Sequence, residues 1–253
     1  MKRETLLALL AANETFVGLP RPALEAILDA GVLRHWARDA YLIQQGDPAS
    51  RFALIARGTA KLVQVTPDGH QVITRFIVRG QEFGLIAALD GFVYPLSIQA
   101  VEACSALVWE GPVLADLMQR FPVLGLNALR IMVVRNQETQ RRYQELLTQR
   151  VEQRVAQALV RLAEQLGREE EGAIRIDLAL TREDLGEFTG TTLYSVSRVL
   201  STFERAGLTT TRRDRICILR MAELQEMAGF DPTATTDAGV GCSALCLAAP
   251  VRR

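Results

Sequence analysis

Residues 180–219 read LTREDLGEFTGTTLYSVSRVLSTFERAGLTTTRRDRICIL, and this run leaves the chain little local choice. Thr181 is a good helix N-cap, and Asp184, three residues on, completes a capping box. Leu185 and Phe188 supply the apolar face of the short helix that follows. Thr189-Gly190-Thr191 makes a tight turn in which Gly190 is free to take positive φ. A second helix is predicted from about Thr192. It buries Val196, Leu200 and Phe203 at i, i+4, i+7 spacing and stops at Gly207. An arginine-studded hairpin comes next. Two short helices, a turn and a wing in this order spell a winged helix-turn-helix.

The outward face of the second helix carries Tyr194, Ser195, Ser197, Arg198 and Ser201. An α-helix fits the major groove, where arginine can bind guanine O6 and N7 with two hydrogen bonds. The hydroxyls of Thr181, Thr191, Thr192 and the serines suit phosphate or base edges, and Arg212, Arg213 and Arg215 of the wing suit phosphates. A merely solvated polar face is the plain alternative, but charge segregation argues against it. Residues 191–220 hold six arginines against Glu204 and Asp214, a local net of +4 inside a stretch that is otherwise close to neutral. The segment therefore predicts binding to double-stranded DNA.

At 253 residues the chain is long enough for one or two domains. Its formal charge is zero, so it is no polybasic protein, and its bases are arginines apart from Lys2 and Lys61. No run of 18 apolar residues occurs and the first residues lack a cleavable signal pattern, which gives the expectation of a soluble, cytoplasmic protein without membrane contact. Cys104 and Cys217 fall in strand-like runs and read as buried thiols. Cys242 and Cys246 form a CxxxC pair with no second Cys/His pair to complete a zinc site within one chain, and read as incidental, a redox role or a metal shared across a dimer being the alternatives. There is no Ser-His-Asp set, no phosphate loop and no paired metal ligands, so neither catalysis nor a metal is expected.

Ahead of the winged segment the pattern changes twice. Residues 1–30 look like short helices broken at Leu19-Pro20. From Val32 to Trp109, β-type runs (Val32–Trp36, Tyr41–Gln44, Phe52–Ala56, Lys61–Val65, Val72–Ile77, Ala106–Trp109) are punctuated by glycines 46, 58, 69, 80 and 91, every 11 or 12 residues, the spacing of a small barrel or sandwich. Gly80–Gly84 is read as opening a short helix through Leu89, and Pro112–Met118 as another. A long helix is predicted over Val123–Leu147. Leu129, Met132 or Val133, Asn136, Thr139 or Gln140, Tyr143 and Leu146 follow a 3.5-residue stripe on it, the seam of a parallel coiled coil. Packing of that stripe on the chain's own barrel is the alternative. Thr148 is expected to cap a helix over Val151–Leu166, whose Val155, Leu159 and Leu162 support the DNA-reading pair. Residues 231–253 are small and polar and read as a mobile tail.

The order of parts resembles the Crp/Fnr superfamily of bacterial transcription regulators over roughly residues 15–228. LTREDLGEFTGTT…VSRVLSTFERAGL carries the likeness, supported by GD…GTAKL…DGHQV…GQEFG. The resemblance implies an α+β protein: a cyclic-nucleotide-binding-like jelly-roll barrel over 1–119, a dimerisation helix over 120–148 and a winged helix-turn-helix over 149–230. It also implies a homodimer on a palindromic operator, one recognition helix per half-site, that recruits or blocks RNA polymerase under allosteric control. The dimer seam would be formed by Leu129, Met132, Val133, Asn136, Tyr143 and Leu146.

The departures from the family pattern bear on the effector. Cyclic-AMP-binding members carry a Glu after Gly and an Arg-Ser pair; here Leu85 follows Gly84 and Leu96 precedes Ser97, so cyclic AMP in the usual mode is not expected. Members with a 4Fe–4S cluster hold it through N-terminal cysteines, and none precedes Cys104, so no cluster is expected. A haem-based gas sensor is the alternative: Leu85, Ile86, Phe92, Tyr94 and Ile98 would make an apolar pocket, but the only histidines are His35, read as a structural strand residue, and His70, read as exposed. The effector itself stays unknown. Its pocket is expected between Phe83, Gly84, Leu85, Ile86, Tyr94, Leu96 and Ser97 on one side and Thr139 and Gln140 on the other. In the recognition helix Ser197 and Arg198 match the family, while Leu193 and Tyr194 replace its usual pair, which predicts a different half-site that still demands a G opposite Arg198.

Overall fold

The computed structural model describes residues 1–212 and 215–229. The expected tail with Cys242 and Cys246, and Arg213 of the wing, lie outside the described residues.

Two helices, α1 (Arg3–Ala12) and α2 (Arg21–Asp29), lead into eight strands: β1 (Val32–Trp36), β2 (Tyr41–Ile43), β3 (Arg51–Arg57), β4 (Ala60–Val65), β5 (Gln71–Ile77), β6 (Glu82–Phe83), β7 (Ser97–Ala100) and β8 (Cys104–Glu110). They form two four-stranded sheets of antiparallel pairs, ordered β1-β8-β3-β6 and β2-β7-β4-β5. Ile43, Ile55, Ile77, Phe83, Ile98 and Val108 come from both sheets and share one apolar core. Phe52, Leu54 and Trp109 join a second core with Leu10 and Ile27 of the N-terminal helices, where the Trp109 indole donates to the Ile27 carbonyl at 2.8 Å. The α+β class and the expected strand runs are all present. Strands β6 and β7 are additions, β6 being only two residues long. The helix expected over 80–89 is instead β6 followed by one 3₁₀ turn, Leu85–Ala88. Gly84 makes the switch at φ +78°, where a Cβ would lie 2.2 Å from the Arg51 carbonyl oxygen.

The chain continues through α3 (Gly111–Arg120) into α4 (Val123–Thr148). Helix α4 is seated at its start by Asn127, whose amide donates to the carbonyls of Thr15 (3.1 Å) and Val17 (2.9 Å). Helix α5 (Val151–Leu166) follows after a two-residue break. Thr148 does not cap it, contrary to expectation. It ends α4, and its hydroxyl donates back to the Gln144 carbonyl at 2.8 Å, the i−4 bond open to a threonine inside a helix.

The last unit comprises β9 (Gly167–Glu170), β10 (Ala173–Ile176), α6 (Arg182–Thr189), α7 (Leu193–Arg205), β11 (Thr209–Arg212), β12 (Arg215–Ile218) and α8 (Met221–Met227). The β9–β10 hairpin was not foreseen. Its turn, Glu171-Gly172, holds both residues at positive φ (51° and 78°), and its first strand is wholly exposed, so no apolar pattern announces it. The four strands order as β11-β12-β10-β9. Val155, Leu159, Leu162, Leu185, Val196, Leu200, Phe203 and Ile218 pack in one core, which continues into the barrel through Val63, Ile73 and Phe76. Among the described residues no single helix is long and apolar enough to cross a membrane.

Candidate nucleic-acid interface

The reading head is built by short-range chemistry. The Thr181 hydroxyl accepts from the Asp184 backbone N–H at 2.9 Å and itself donates to the Asp184 carboxylate at 2.7 Å. That carboxylate also accepts from the Thr181 N–H at 3.1 Å, so the capping box is reciprocal. Helix α6 ends at Gly190, φ +65°. Thr192 then caps α7 by accepting from the Ser195 N–H at 3.2 Å. Gly186 closes the unit: its carbonyl accepts from Thr191 at 3.0 Å, and a Cβ there would stand 2.9 Å from the Thr191 carbonyl oxygen. Only a residue without a side chain lets the turn fold back on α6 so closely.

Helix α7 buries Val196, Val199, Leu200 and Phe203 and turns its other face outward. Tyr194 is 83% exposed, Arg198 and Ser201 are exposed, and Ser195 and Ser197 are partly so. Arg198 is exposed and forms no ion pair among the described residues. The Ser201 hydroxyl donates to the Ser197 carbonyl at 2.9 Å, leaving only acceptor capacity to offer outward. Thr181 is occupied by the capping box, and Thr191 and Thr192 line the turn.

The wing arginines are less free than their sequence suggests. Arg212 pairs with Glu171 at 3.1 Å on the surface, where such a pair exchanges readily with a phosphate. Arg215 is bound to Asp177, a carboxylate also met by Arg168 at 2.9 Å and Arg175 at 3.8 Å. Arg215 therefore serves first as part of the β10–β12 structure. Arg175 also meets Glu170 at 3.1 Å, so this edge is a network of paired charges and not a free positive patch.

What holds the head in place was not visible in the sequence. Arg154 of α5 donates to the carbonyls of Gln149, Thr189 and Gly190 at 3.0, 3.0 and 3.2 Å, joining the α4–α5 break to the helix-turn-helix turn. Lys61 of β4 reaches Asp184 at 2.8 Å and Glu187 at 3.9 Å, all three side chains being 20% exposed or less. Phe76 of β5 meets Phe188 edge-on at 5.3 Å, and the Arg142 guanidinium of α4 lies 4.2 Å over the same Phe188 ring. Barrel, long helix and reading head thus touch directly.

Leu129, Met132, Val133, Tyr143 and Leu146 are 48–64% exposed, and Asn136 is exposed beside them. The stripe does not pack on the chain's own barrel. The residues expected to line an effector pocket are scattered. Phe83 and Tyr94 belong to the barrel core, with Ile86 at its edge, while Leu85 packs on the other core. Gly84 shapes the backbone, Leu96 is partly buried, and Thr139 and Gln140 stand exposed on α4. The Tyr94 hydroxyl accepts from the Ser50 and Arg51 N–H groups at 3.0 and 2.7 Å and donates to the Arg51 carbonyl, and Ser97 accepts from the Gln45 N–H at 2.9 Å. The Tyr94 and Ser97 side chains are therefore engaged in holding the fold. His70 is exposed as expected. His35 is exposed too, contrary to its reading as a structural residue.

Residues 153–227 match the Crp-like helix-turn-helix domain and residues 33–121 the cyclic nucleotide-binding domain. The fumarate and nitrate reduction regulatory protein of Vibrio cholerae serotype O1 is 30% identical over 190 residues, 74% of this chain and 75% of that protein. The transcriptional activator protein Anr of Pseudomonas aeruginosa is 28% identical over 207 residues, 82% of this chain and 84% of that protein. In fold, the chain is similar to FixK2 from Bradyrhizobium japonicum, with a TM-score of 0.69 at 19% identity over 78% of this chain and 96% of that one.

Proposed function

Since the chain belongs to the Crp/Fnr superfamily of transcription regulators, we propose that it acts in the cytoplasm as a homodimer reading a palindromic operator, one α7 per half-site. The observation that carries this reading is the split character of α7: Val196, Val199, Leu200 and Phe203 buried on one face, and an opposite face offering Tyr194, Ser197, Arg198 and Ser201 to solvent. Residues 120–148 would supply the dimer seam and 149–230 the reading head. Two heads related by a dimer axis place their half-sites about one helical turn apart. Residues 1–119 would form the sensor, and Gln149-Arg150, between α4 and α5, the hinge across which an effector shifts the population of dimer arrangements. Bound to its operator, the dimer would recruit or block RNA polymerase. No catalytic step is assigned to it.

Cyclic AMP in the usual cassette mode does not fit, because Leu85 and Leu96 offer no polar group and Tyr94 and Ser97 are already engaged. The haem alternative finds no buried histidine, both His35 and His70 being exposed. A salt titration of duplex binding tests the proposal: log affinity should fall against log salt with a slope of about −0.9 per neutralised phosphate. A winged helix that served only protein contacts would show no binding to duplex and no such slope.

A further inference from the structure

One polar cluster takes no part in the reading head. It lies where β5, β6 and α4 meet and consists of Arg75, Glu82 and Arg135, with Asn13 from the end of α1. Arg75 is mostly buried; its Nη1 has no solvent-facing surface and no hydrogen-bond acceptor. Its Nη2 has only the Glu82 backbone carbonyl, at 3.3 Å, a long bond for a guanidinium. The Glu82 side chain, 5% exposed, attracts it through space, as Glu138 and Glu14 do more weakly, but its carboxylate gives Arg75 no side-chain hydrogen bond. That carboxylate accepts from Asn13 at 2.8 Å and lies 3.7 Å from Arg135, beyond hydrogen bonding. Arg135 meets Glu138 at 3.1 Å on the outer side of α4. Burial first, and then the like charge of Arg135, pull Arg75 down to about 10 against the opposing charges of Glu82, Glu138 and Glu14, so it remains a cation at neutral pH. A charge withdrawn from water with an unmatched donor is an expensive feature to retain, and one that a fitted anion would relieve.

We infer that Arg75 and Arg135 form an oxyanion subsite that takes the carboxylate or phosphate group of an anionic effector between the barrel and α4. The planar fork of a guanidinium matches either group with two parallel hydrogen bonds. Since Nη1 is closed to solvent in this arrangement, an anion reaches it only if β5 and α4 change their spacing. Binding therefore selects a different placement of the long helix. The consequence is carried along contacts already present. Thr74, the neighbour of Arg75, accepts a hydrogen bond from Arg142, and Arg142 covers the Phe188 ring of α6. Arg142 is itself lowered to about 10 by burial, with Arg75 among the like charges acting on it, so neutralising Arg75 eases the position of the guanidinium that touches the reading head.

This deepens the regulator reading and rests on it for biological sense, but the subsite can be tested alone. The full-length protein is titrated with inorganic phosphate and, separately, with succinate, against chloride at matched ionic strength, reading thermal midpoint and calorimetric binding. Wild type should show a saturable response to at least one of the two, and which one responds identifies the group. Arg75→Met should weaken that response at least tenfold while the protein stays folded, since the change removes an unmatched buried charge. Arg120→Met, at an exposed arginine, should leave it unchanged. No saturable response in wild type, or an equal response in Arg75→Met, overturns the subsite. So does loss of dimerisation in Arg75→Met without any anion response, which would assign the guanidinium to a carboxylate of the second chain. Duplex binding is measured on the same samples: anion binding without DNA binding would sink the regulator reading and spare the subsite, and the converse would spare only the regulator.

Discussion

Arg198 projects from α7 without an ion-pair partner among the described residues, next to Ser197 and one turn beyond the 83%-exposed Tyr194. A bidentate contact to a guanine is worth about 1–3 kcal/mol of discrimination. Arg198→Ala should therefore weaken operator binding by about that much and flatten the preference at one base pair, as read by competition titration across single-base operator variants. An unchanged preference profile would mean that another side chain reads that position. Gly186 gives a second residue-level expectation, and here two effects oppose each other. Helix propensity favours alanine over glycine by about 1 kcal/mol, whereas a Cβ forced to 2.9 Å from the Thr191 carbonyl oxygen meets backbone that cannot swing aside. Overpacking of that kind costs about 1–3 kcal/mol, so Gly186→Ala should destabilise the protein, seen as a lower urea midpoint. A rise in midpoint would show that the turn yields.

At the level of elements, the contact between β4–β5 and α6 joins the barrel to the helix-turn-helix. Lys61 ties to the same Asp184 that closes the α6 capping box. Removing one member of a largely buried pair costs about 3–5 kcal/mol. Asp184 keeps its two bonds from Thr181, so about 1–3 kcal/mol is the expected loss for Lys61→Met in a denaturation series. The pair also sets a pH dependence. Burial works against the Asp184 carboxylate, yet the bonds from Lys61 and Thr181 prevail and hold it below the ordinary 3.8. A carboxyl depressed by folding stabilises the folded state above its unfolded value, and that contribution fades as pH falls through the folded value. Lys61→Met should therefore flatten the loss of stability below about pH 3.8, measured as melting temperature against pH. An unaltered acid limb would place the depression on Thr181 alone. Glu187, 3.9 Å from Lys61, is pushed upward by burial and contributes the opposite slope at higher pH.

For the whole molecule, the decisive feature is a helix with one apolar face buried and another exposed. Helix α4 buries Leu124, Asn127 and Ile131 against its own chain and leaves Leu129, Met132, Val133, Tyr143 and Leu146 uncovered. Burying each large apolar side chain is worth about 1.5–3 kcal/mol, and every one counts twice in a symmetric pair. The double variant Met132→Asp with Leu129→Asp should sediment as a monomer at micromolar concentration. Its operator affinity should fall by orders of magnitude, because the second head is no longer tethered beside the first. A variant that stays dimeric would put the interface elsewhere. Much of this architecture could be read from the chain in advance: the capping box at Thr181 and Asp184, the α7 face, the glycine-paced strands and the exposed α4 stripe all depend on spacing within a few residues. Those features rest on periods and caps that act over one or two turns of chain, which is why sequence alone determined them. The two-residue β6, the polar β9–β10 hairpin, the Asp177 cluster that absorbs Arg215, the Arg154 clasp and the unmatched Arg75 were decided only by tertiary structure. Each depends on which groups from distant segments end up within about 3–4 Å of one another, the range over which hydrogen bonds and ion pairs act, and no local pattern encodes that proximity.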